Sequence, residues 1–297
     1  MNSVTVKVPA STSNLGSGFD TLGLAVKLYN LVQATRCEGK GVKLGWPVAA
    51  EDASWFEQAL GDARKLFIQR TRSKSFGVEV KLISHVPIAR GLGASATIRV
   101  GFIAALNELA GTKLSREQLL ELATELEGHP DNASPAIFGG FTVSGRVDGR
   151  VRCLPFRVSP NLNCVTLIPR FGISTEEARK LLPASYPKAD AAHALNRSAL
   201  ITAAFSSRNY EALGGLFDDR VHQPYREQLL PQLSRVIRAG EKAGAIGGFL
   251  SGSGSAILCL ALLNAEVVGK AMQKQLPEAE LKILSPDNHG FKIIATA

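Results

Sequence analysis

Aromatic residues are scarce in this sequence: phenylalanine, tryptophan and tyrosine make up 6% of its 297 residues. Its lysines and arginines form no dense run, although the formal net charge is +8. Platforms that stack nucleic-acid bases combine aromatic side chains with clustered basic ones. We therefore expect a protein that binds no nucleic acid and whose dispersed basic residues suit nucleotides and acidic metabolites.

Cysteine is also rare, and the wide spacing of the four cysteines excludes a zinc pattern or a C-x-x-C redox pair. We expect buried thiols in a reducing compartment, and hence a cytoplasmic protein. Residues Met1 to Lys7 show no signal-peptide pattern. Glycine and serine interrupt the apolar stretch from Ala245 to Leu263, so we expect a buried loop and strand there and no membrane span.

A glycine-rich loop, Gly91 to Ala96, is the most informative segment present. It follows a run with strand-like alternation, residues 77–87, and precedes a run with helical apolar spacing, residues 98–109. Glycine lets the backbone approach a ligand, and free N–H groups with the helix dipole favour an anion. Phosphate is the expected ligand, with a tight connection that binds nothing as the alternative.

Two residues beside this loop favour a binding role. Ser95 lies at the helix start, where its hydroxyl could cap the helix or contact a metal ion. Arg90 directly precedes the loop and adds positive charge. The P-loop pattern is absent, Ala96 stands where a dinucleotide fingerprint prefers glycine, and the usual protein-kinase signature set is missing.

Two further polar segments could bind a substrate. Residues 9–20 combine hydroxyls, glycines, Asn14 and Asp20, which could hydrogen-bond a polar molecule. Residues 125–132 hold Glu125, Glu127, His129, Asp131 and Asn132, which could supply a magnesium ligand and a general base. The alternatives are an ordinary Ser/Gly turn and a helix terminus that Pro130 stops.

Two arginines follow in the second half of the chain. Arg179 and Arg226 each end a polar segment, and a guanidinium can bind a carboxylate in a bidentate fork. A solvated surface position is the alternative for each. A third glycine-rich loop, residues 247–255, could approach phosphate or substrate, or could simply connect buried strands.

Strand-like and helix-like runs mix without strict alternation, which predicts an α+β fold. We place a domain boundary after residue 157, giving domains 1–157 and 158–297. Val4 to Val8 reads as an edge strand ending at Pro9, and Tyr210 to Leu216 reads as helical. Ser115 and Gln118 have the spacing of a capping box, which predicts a helix that continues to about Glu127.

Taken together, these segments resemble the GHMP kinase superfamily. The three superfamily blocks are residues 9–20, 87–96 and 247–255. The chain is also similar to the homoserine kinase family in four segments. These are the Pro-Ala-Ser-x-x-Asn-Leu-Gly-x-Gly-Phe-Asp form of residues 9–20, His129-Pro-Asp-Asn132, Ser174-Thr-Glu-Glu-Ala-Arg179 and His222-Gln-Pro-Tyr-Arg226.

This resemblance implies an N-terminal domain like ribosomal protein S5 domain 2, a ferredoxin-like C-terminal domain, and a homodimer. It implies ATP-dependent phosphorylation of the L-homoserine hydroxyl in threonine synthesis, with ATP and Mg²⁺ as cofactors. The implied ATP-contacting residues are Pro87, Arg90, Gly91, Leu92, Gly93, Ala94, Ser95, Ala96 and Thr97. The implied substrate-binding residues are Asn14, Asp20, His129, Arg179 and Arg226.

The remaining implied roles concern catalysis and metal binding. His129, Asp131 and Asn132 would line the reacting part of the pocket, with Asp131 as the candidate base. Ser95 and one glutamate, Glu127 or Glu125, would contact Mg²⁺. The chain departs from the family at Ala94, where relatives usually carry serine, so we expect weaker ATP affinity or a rearranged contact. The alternatives are a GHMP kinase of another small alcohol, mevalonate or a sugar, and a nucleotide-binding regulator without catalysis.

Overall fold

The computed structural model describes residues 2–296, so Met1 and Ala297, the outer ends of the predicted domains, lie outside the described residues. The side chains of Ala50 and Glu51 lie outside them as well. Within this range the chain forms a larger and a smaller β-sheet with helices packed on both, which is the expected α+β fold.

The larger sheet has seven strands within residues 2–296, in the order β11-β1-β2-β4-β3, with β5 paired to β2 and β6 paired to β5. Only the pair β3–β4 is parallel among these described strands. Its strands are β1 (Ser3–Ser13), β2 (Leu22–Cys37), β3 (Gly41–Leu44), β4 (Gly77–Ser84), β5 (Phe141–Val147), β6 (Arg150–Phe156) and β11 (Lys292–Thr296).

Helices cover one face of this sheet and bury its apolar side chains. Helix α2 (Ala94–Ala110) lies against β1 and β2 so closely that a Cβ on Gly101 would be 2.6 Å from Cγ2 of Val32. The predicted capping box at Ser115 and Gln118 is confirmed at the start of the next helix. These helices are α1 (Ala50–Thr71), α2 (Ala94–Ala110), α3 (Arg116–Glu127) and α4 (Ala133–Phe138).

The smaller sheet has four antiparallel strands within the described residues, in the order β10-β7-β9-β8. Helices α8 and α9 pack on one face of it. The strands are β7 (Asn163–Ile168), β8 (Gly247–Leu250), β9 (Ile257–Ala261) and β10 (Glu280–Leu284). The helices of this half are α5 (Thr175–Lys180), α6 (Lys188–Ser207), α7 (Gln223–Arg226), α8 (Leu233–Lys242) and α9 (Ala265–Gln273).

A shared core joins the two sheets. Phe141 of β5 stacks on Phe205 of α6 with 4.1 Å between ring centroids, and both rings are fully buried. Leu258 and Leu260 of the smaller sheet lie in the same cluster. This packing fixes how the loops at the ends of the two sheets face each other.

The structure corrects several predictions made from local patterns. The first strand is not an edge strand and does not end at Pro9, because β1 pairs with β2 up to Ser13 and with β11 from Val4 to Lys7. A register shift after Pro9 accommodates the proline, and β11 does not extend that far. The predicted helix at Tyr210 is a single 3₁₀ turn.

The predicted domain boundary falls in the segment between β6 and β7, where the chain passes from the larger sheet to the smaller one. The final strand, β11, returns to the larger sheet and pairs with β1. The strand set of the first half therefore includes the last residues of the chain, and the boundary at 157 stays a prediction.

None of the helices in residues 2–296 combines the length and apolar character that crossing a membrane requires.

Candidate active site

A cavity of about 540 Å³ lies between loops of the larger sheet and loops that connect the strands and helices of the smaller-sheet half. The structure brings most of the predicted site residues to its wall. They are Asn14, Asp20, Arg90, Gly91, Gly93, Ala94, Ser95, Ala96, Glu127, His129, Asp131, Asn132, Arg179 and Arg226.

The glycine loop enters α2 with its glycines in the left-handed region. Gly91 and Gly93 have φ of +73° and +70°, and Gly93 is the N-cap of α2. A Cβ on Gly91 would lie 2.0 Å from the carbonyl oxygen of Ser251, and one on Gly93 would lie 2.3 Å from Oγ of Ser11. At both positions the positive φ and the lack of space for a Cβ therefore require glycine. The N-terminus of α2 is open to the cavity.

Some predicted ATP-contacting residues do not face the cavity. Pro87, Leu92 and Thr97 are absent from its wall within the described chain, and the last two are fully buried. The Thr97 hydroxyl donates to the carbonyl of Ala94. The implied direct ATP contacts of these three side chains are therefore not supported by their positions.

Arg90 reaches the cavity wall, but its guanidinium is occupied elsewhere. It donates to the carbonyls of Pro169 and Ile88, each at 2.9 Å, and to that of Arg170. These contacts tie the glycine loop to the segment after β7. The expectation that Arg90 adds its charge directly to the phosphates is not supported by this arrangement.

Ser95 does not cap α2, because the N-cap is Gly93 and no side chain caps that end. Instead its hydroxyl donates to Oε1 of Glu127 over 2.7 Å. Nη1 of Arg99 lies 2.6 Å from the same oxygen and 3.1 Å from the Ser95 hydroxyl. Glu125 points elsewhere and pairs with Arg70 at the surface.

Magnesium requires few protein ligands and prefers oxygen. Ser95 and Glu127 offer a hydroxyl and a carboxylate beside the open N-terminus of α2, so these residues fit a magnesium–phosphate group. Glu125, paired at the surface, does not. Arg99 shares the Glu127 carboxylate and was missed by sequence reasoning, although its i+4 spacing from Ser95 places it on the same helix face.

The segment between α3 and α4 forms a tight polar cluster. Nδ1 of His129 pairs with Oδ1 of Asp131, which is 2% exposed and also accepts from the Asn132 backbone N–H over 2.9 Å. Burial opposes charge on both partners, but their mutual hydrogen bond raises the pKa of His129 and lowers the pKa of Asp131. The hydrogen bond therefore favours the imidazolium–carboxylate form of the pair.

Asn132 connects this cluster to the first strand. Its Nδ2 donates to the Ser13 hydroxyl over 3.0 Å, and its Oδ1 accepts from the Ser11 hydroxyl over 2.9 Å. Ser13 also lines the cavity, as does Trp55 of α1. Sequence reasoning named neither residue individually.

Asp20 and Arg179 meet at the cavity wall, with Oδ1 and Nη2 separated by 2.6 Å. Asn14 supports Asp20, since its Oδ1 accepts the Asp20 backbone N–H over 3.1 Å. Both Asn14 and Asp20 adopt left-handed φ, which these residue types tolerate better than most. One acceptor atom each of Asp20, His129 and Asp131 lies within 4.8 Å of the others.

Arg226 is 2% exposed, and its Nη1 donates to the carbonyl of Gly252 over 2.9 Å. Asn14 donates to the same carbonyl over 3.0 Å. Burial and the nearby Arg179 lower the pKa of Arg226 to about 10, so it stays protonated at neutral pH. The guanidinium groups of Arg179 and Arg226 thus lie on the same cavity wall as the carboxylates of Asp20 and Asp131, an arrangement that suits a small zwitterion beside a phosphate-binding helix end.

Comparison with known proteins identifies the family. The GHMP kinases N terminal domain matches residues 58–140, and the GHMP kinases C terminal domain matches residues 200–278. Homoserine kinase from Persephonella marina is 40% identical, with 99% of each chain covered. Homoserine kinase from Caldicellulosiruptor bescii is 36% identical, with 98% of this chain and 97% of that protein covered. The chain belongs to the homoserine kinase family.

Solved structures agree with this assignment. Homoserine kinase from Cytophaga hutchinsonii has a TM-score of 0.87 and 27% identity, covering 99% of this chain and 98% of that chain. A mevalonate kinase from L. major has a TM-score of 0.71 at 19% identity, which indicates the shared fold alone. As a member of the homoserine kinase family, the chain has the two-domain GHMP kinase fold and is an ATP-dependent kinase.

Proposed function

We propose that this homoserine kinase family member transfers the γ-phosphoryl group of ATP to the hydroxyl of L-homoserine, forming O-phospho-L-homoserine for threonine synthesis. The observation that carries the proposal is the meeting of Asp20, Arg179 and Arg226 beside the open N-terminus of α2. That arrangement offers separate sites for an ammonium, a carboxylate and a phosphate in one cavity.

The charges of the cavity favour an amino acid over other small alcohols. Arg179 and Arg226 suit the substrate carboxylate, and Asp20, held by Asn14, suits the ammonium group. Mevalonate carries a carboxylate without an ammonium group, and a neutral sugar carries neither. Mevalonate would leave Asp20 without a cationic partner once Arg179 turned to the mevalonate carboxylate, and a neutral sugar would pair with neither Arg179 nor Asp20.

The phosphate end is built from backbone and two side chains. Amide groups of Gly91 to Ala96 and the α2 dipole would hold the ATP phosphates. Ser95 and Glu127 would hold Mg²⁺, which when bound supplies neutralisation of phosphate charge. Ala94, on the first turn of α2, places a methyl group where family members usually carry a hydroxyl, so backbone amides and Ser95 do the binding.

The acceptor hydroxyl is oriented rather than strongly activated. Phosphoryl transfer passes through a loose transition state that asks mainly for positioning and charge stabilisation. Asp131 is bound to His129 and to the Asn132 amide, and its lowered pKa makes it a weak base. We assign His129, Asp131 and Asn132 to orienting the hydroxyl, with Asp131 as the proton acceptor.

Two less specific proposals complete this assignment. We place the protein in the cytoplasm, in keeping with the four free cysteines found among the described residues. We also propose a homodimer, which rests on the family resemblance and is tested by light scattering after gel filtration. A monomer at micromolar concentration would contradict the homodimer.

The deciding experiment is a coupled assay of ADP release with L-homoserine, mevalonate and galactose as acceptors. We expect turnover with L-homoserine, and Arg226→Ala should raise the KM for homoserine far more than that for ATP. Faster turnover of mevalonate or galactose would support a kinase of another alcohol. ATP binding without turnover of any acceptor would support a silent regulator. Equal increases of the KM for homoserine and the KM for ATP in Arg226→Ala would rule out Arg226 as a carboxylate ligand.

A further inference from the structure

A fully buried histidine lies behind Arg226. His222 precedes α7, and its Nε2 lies 2.8 Å from the carbonyl oxygen of Gly16. A carbonyl only accepts hydrogen bonds, so Nε2 must carry the proton. In the neutral ring the other nitrogen, Nδ1, is then an acceptor, and it lies 3.2 Å from Nη1 of Arg226.

The surroundings keep this imidazole neutral. Burial lowers the pKa of His222, and the adjacent Arg226 lowers it further, while Asp219 and Asp20 act in the opposite direction. Asp219 is the nearest carboxylate, with Oδ2 3.5 Å from Nε2. Its oxygens are already engaged, because they accept backbone N–H groups of Val221, His222 and Gln223 over 2.7–2.9 Å.

The Arg226 guanidinium is held through two of its three nitrogens. Nη1 donates to both His222 and the carbonyl of Gly252, and Nε lies 3.4 Å from the carbonyl of Ala178. Among residues 2–296, Nη2 forms no hydrogen bond, and Arg226 lines the cavity. Nη2 is thus the donor that remains for a ligand.

We propose that His222 is a positioning residue, whose neutral imidazole accepts from Nη1 of Arg226, anchors on Gly16, and so aims Nη2 at the substrate carboxylate. The role rests on the proposed function, since it concerns the carboxylate of an amino-acid substrate. It differs from that of a packing residue, because it depends on which ring nitrogen accepts. His222 also contacts Phe19, with 5.5 Å between ring centroids, so packing alone is the competing explanation.

Two isosteric variants separate these explanations. In His222→Asn the amide oxygen takes the place of Nδ1, so the acceptor for Arg226 is kept and the contact to Gly16 is lost. In His222→Gln the amide nitrogen takes the place of Nε2, so the donor to Gly16 is kept and the acceptor is lost. Each is measured for KM of homoserine, KM of ATP, melting temperature, and kcat/KM for 3-aminopropan-1-ol, which is homoserine without its carboxylate.

We expect His222→Gln to raise the KM for homoserine at least about tenfold, with the KM for ATP within about twofold. The preference for homoserine over 3-aminopropan-1-ol should fall by the same factor. His222→Asn should restore both values to within about threefold of wild type, even if its melting temperature falls further. Equal KM shifts in both variants, or an unchanged preference in His222→Gln, would overturn the role.

A measurement on the wild-type protein keeps the proposal testable if a variant fails to fold. The ¹⁵N shifts of His222 at pH 7 should report a neutral ring protonated at Nε2, and a ring protonated at Nδ1 would overturn the proposal. The wild-type assay distinguishes a failure of the proposed function from a failure of the His222 role alone. Absence of homoserine turnover overturns the proposed function and this role with it, whereas normal wild-type turnover with an unaffected His222→Gln overturns the role alone.

Discussion

Nη2 of Arg179 and Oδ1 of Asp20 lie 2.6 Å apart, although 159 residues separate them in the chain. The two side chains are 36% and 33% exposed, so the pair itself contributes little to stability. Its importance is positional. In the proposed function each member would be the counter-ion of one end of the zwitterionic substrate, and binding would exchange one intramolecular ion pair for two intermolecular ones.

Asp20→Asn should therefore raise the KM for homoserine at least about tenfold and leave the KM for ATP within about twofold. The asparagine keeps the shape but loses the charge that attracts the ammonium group. With 4-hydroxybutyrate, which is homoserine without its amino group, the variant should match wild type. Asp190→Asn is the matched control. Oδ1 of Asp190 lies 3.3 Å from Nη1 of Arg220, and Asp190 does not line the cavity. Similar losses in both variants would rule out an ammonium contact.

Glu127 and Glu125 offer a second matched pair. Glu127→Gln should raise the Mg²⁺ concentration for half-maximal rate and weaken Mn²⁺ binding, measured by paramagnetic resonance, at least about tenfold, because a carboxylate ligand becomes neutral. Glu125→Gln should leave both within about twofold, since Glu125 pairs with Arg70 at the surface. The reverse order of effects would move the metal site to Glu125.

Ala94→Ser tests whether the departure from the family pattern matters. Ala94 is 6% exposed and lines the cavity on the first turn of α2, so an added hydroxyl could donate to a phosphate. A neutral hydrogen bond contributes about 0.5–1.5 kcal/mol, which corresponds to a KM for ATP lower by about two- to tenfold. Ala203→Ser, on the exposed face of α6, should change nothing. An unchanged KM for ATP in Ala94→Ser would mean that the backbone amides already saturate the phosphates.

The parts of the site that sequence patterns predicted are local ones. The glycine loop with its helix and the His129–Asn132 segment each depend on neighbours in the chain, so composition and spacing were sufficient to single them out. The hydrogen bonds of Arg90 to the carbonyls of Pro169 and Arg170 could not be predicted from local patterns, because those two residues follow a strand of the smaller sheet. The tautomer of His222 likewise depends on Gly16, far away in sequence.

In the fold, too, local features could be predicted from the sequence and pairings between distant segments could not. Helices with clear caps, such as α3 at Ser115, were predicted correctly because the cap is encoded within four residues. The edge-strand prediction for β1 is wrong because β1 also pairs with residues 292–296, and no pattern near Pro9 indicates that distant strand. Long-range pairing therefore limited the prediction more than local propensity did.

Gly91 and Gly149 separate the effect of backbone conformation from that of close packing. Both have left-handed φ, +73° and +75°, but a Cβ on Gly149 meets nothing within 4 Å, whereas one on Gly91 lies 2.0 Å from the Ser251 carbonyl oxygen. Gly149→Ala should lower the free energy of unfolding by about 1–2 kcal/mol. Gly91→Ala should lower it further and reduce ATP affinity, as measured by urea unfolding and calorimetry. Equal losses would show that the loop yields to the added methyl group.

Two histidines give opposite pH dependences of stability. Burial and the adjacent Arg226 lower the pKa of His222 below 6.5, so its stabilising contribution is complete above 6.5 and is lost as pH falls through the range below that value. Against the burial that opposes its charge, the bond to Asp131 raises the pKa of His129, so its contribution is complete below 6.5 and is lost as pH rises through its higher folded value. A wild-type profile alone would mix the two effects.

The variant His222→Asn isolates the first contribution, because asparagine does not titrate. The free energy of unfolding of wild type minus that of the variant, measured in urea between pH 5 and pH 8, should increase with pH below about 6.5 and then level off. The wild-type KM for homoserine should rise only as pH falls through the lowered folded pKa of His222, since an imidazolium cannot accept from Arg226 and repels it. A flat difference curve would mean that His222 binds protons equally in the folded and unfolded states, and would contradict the lowered pKa.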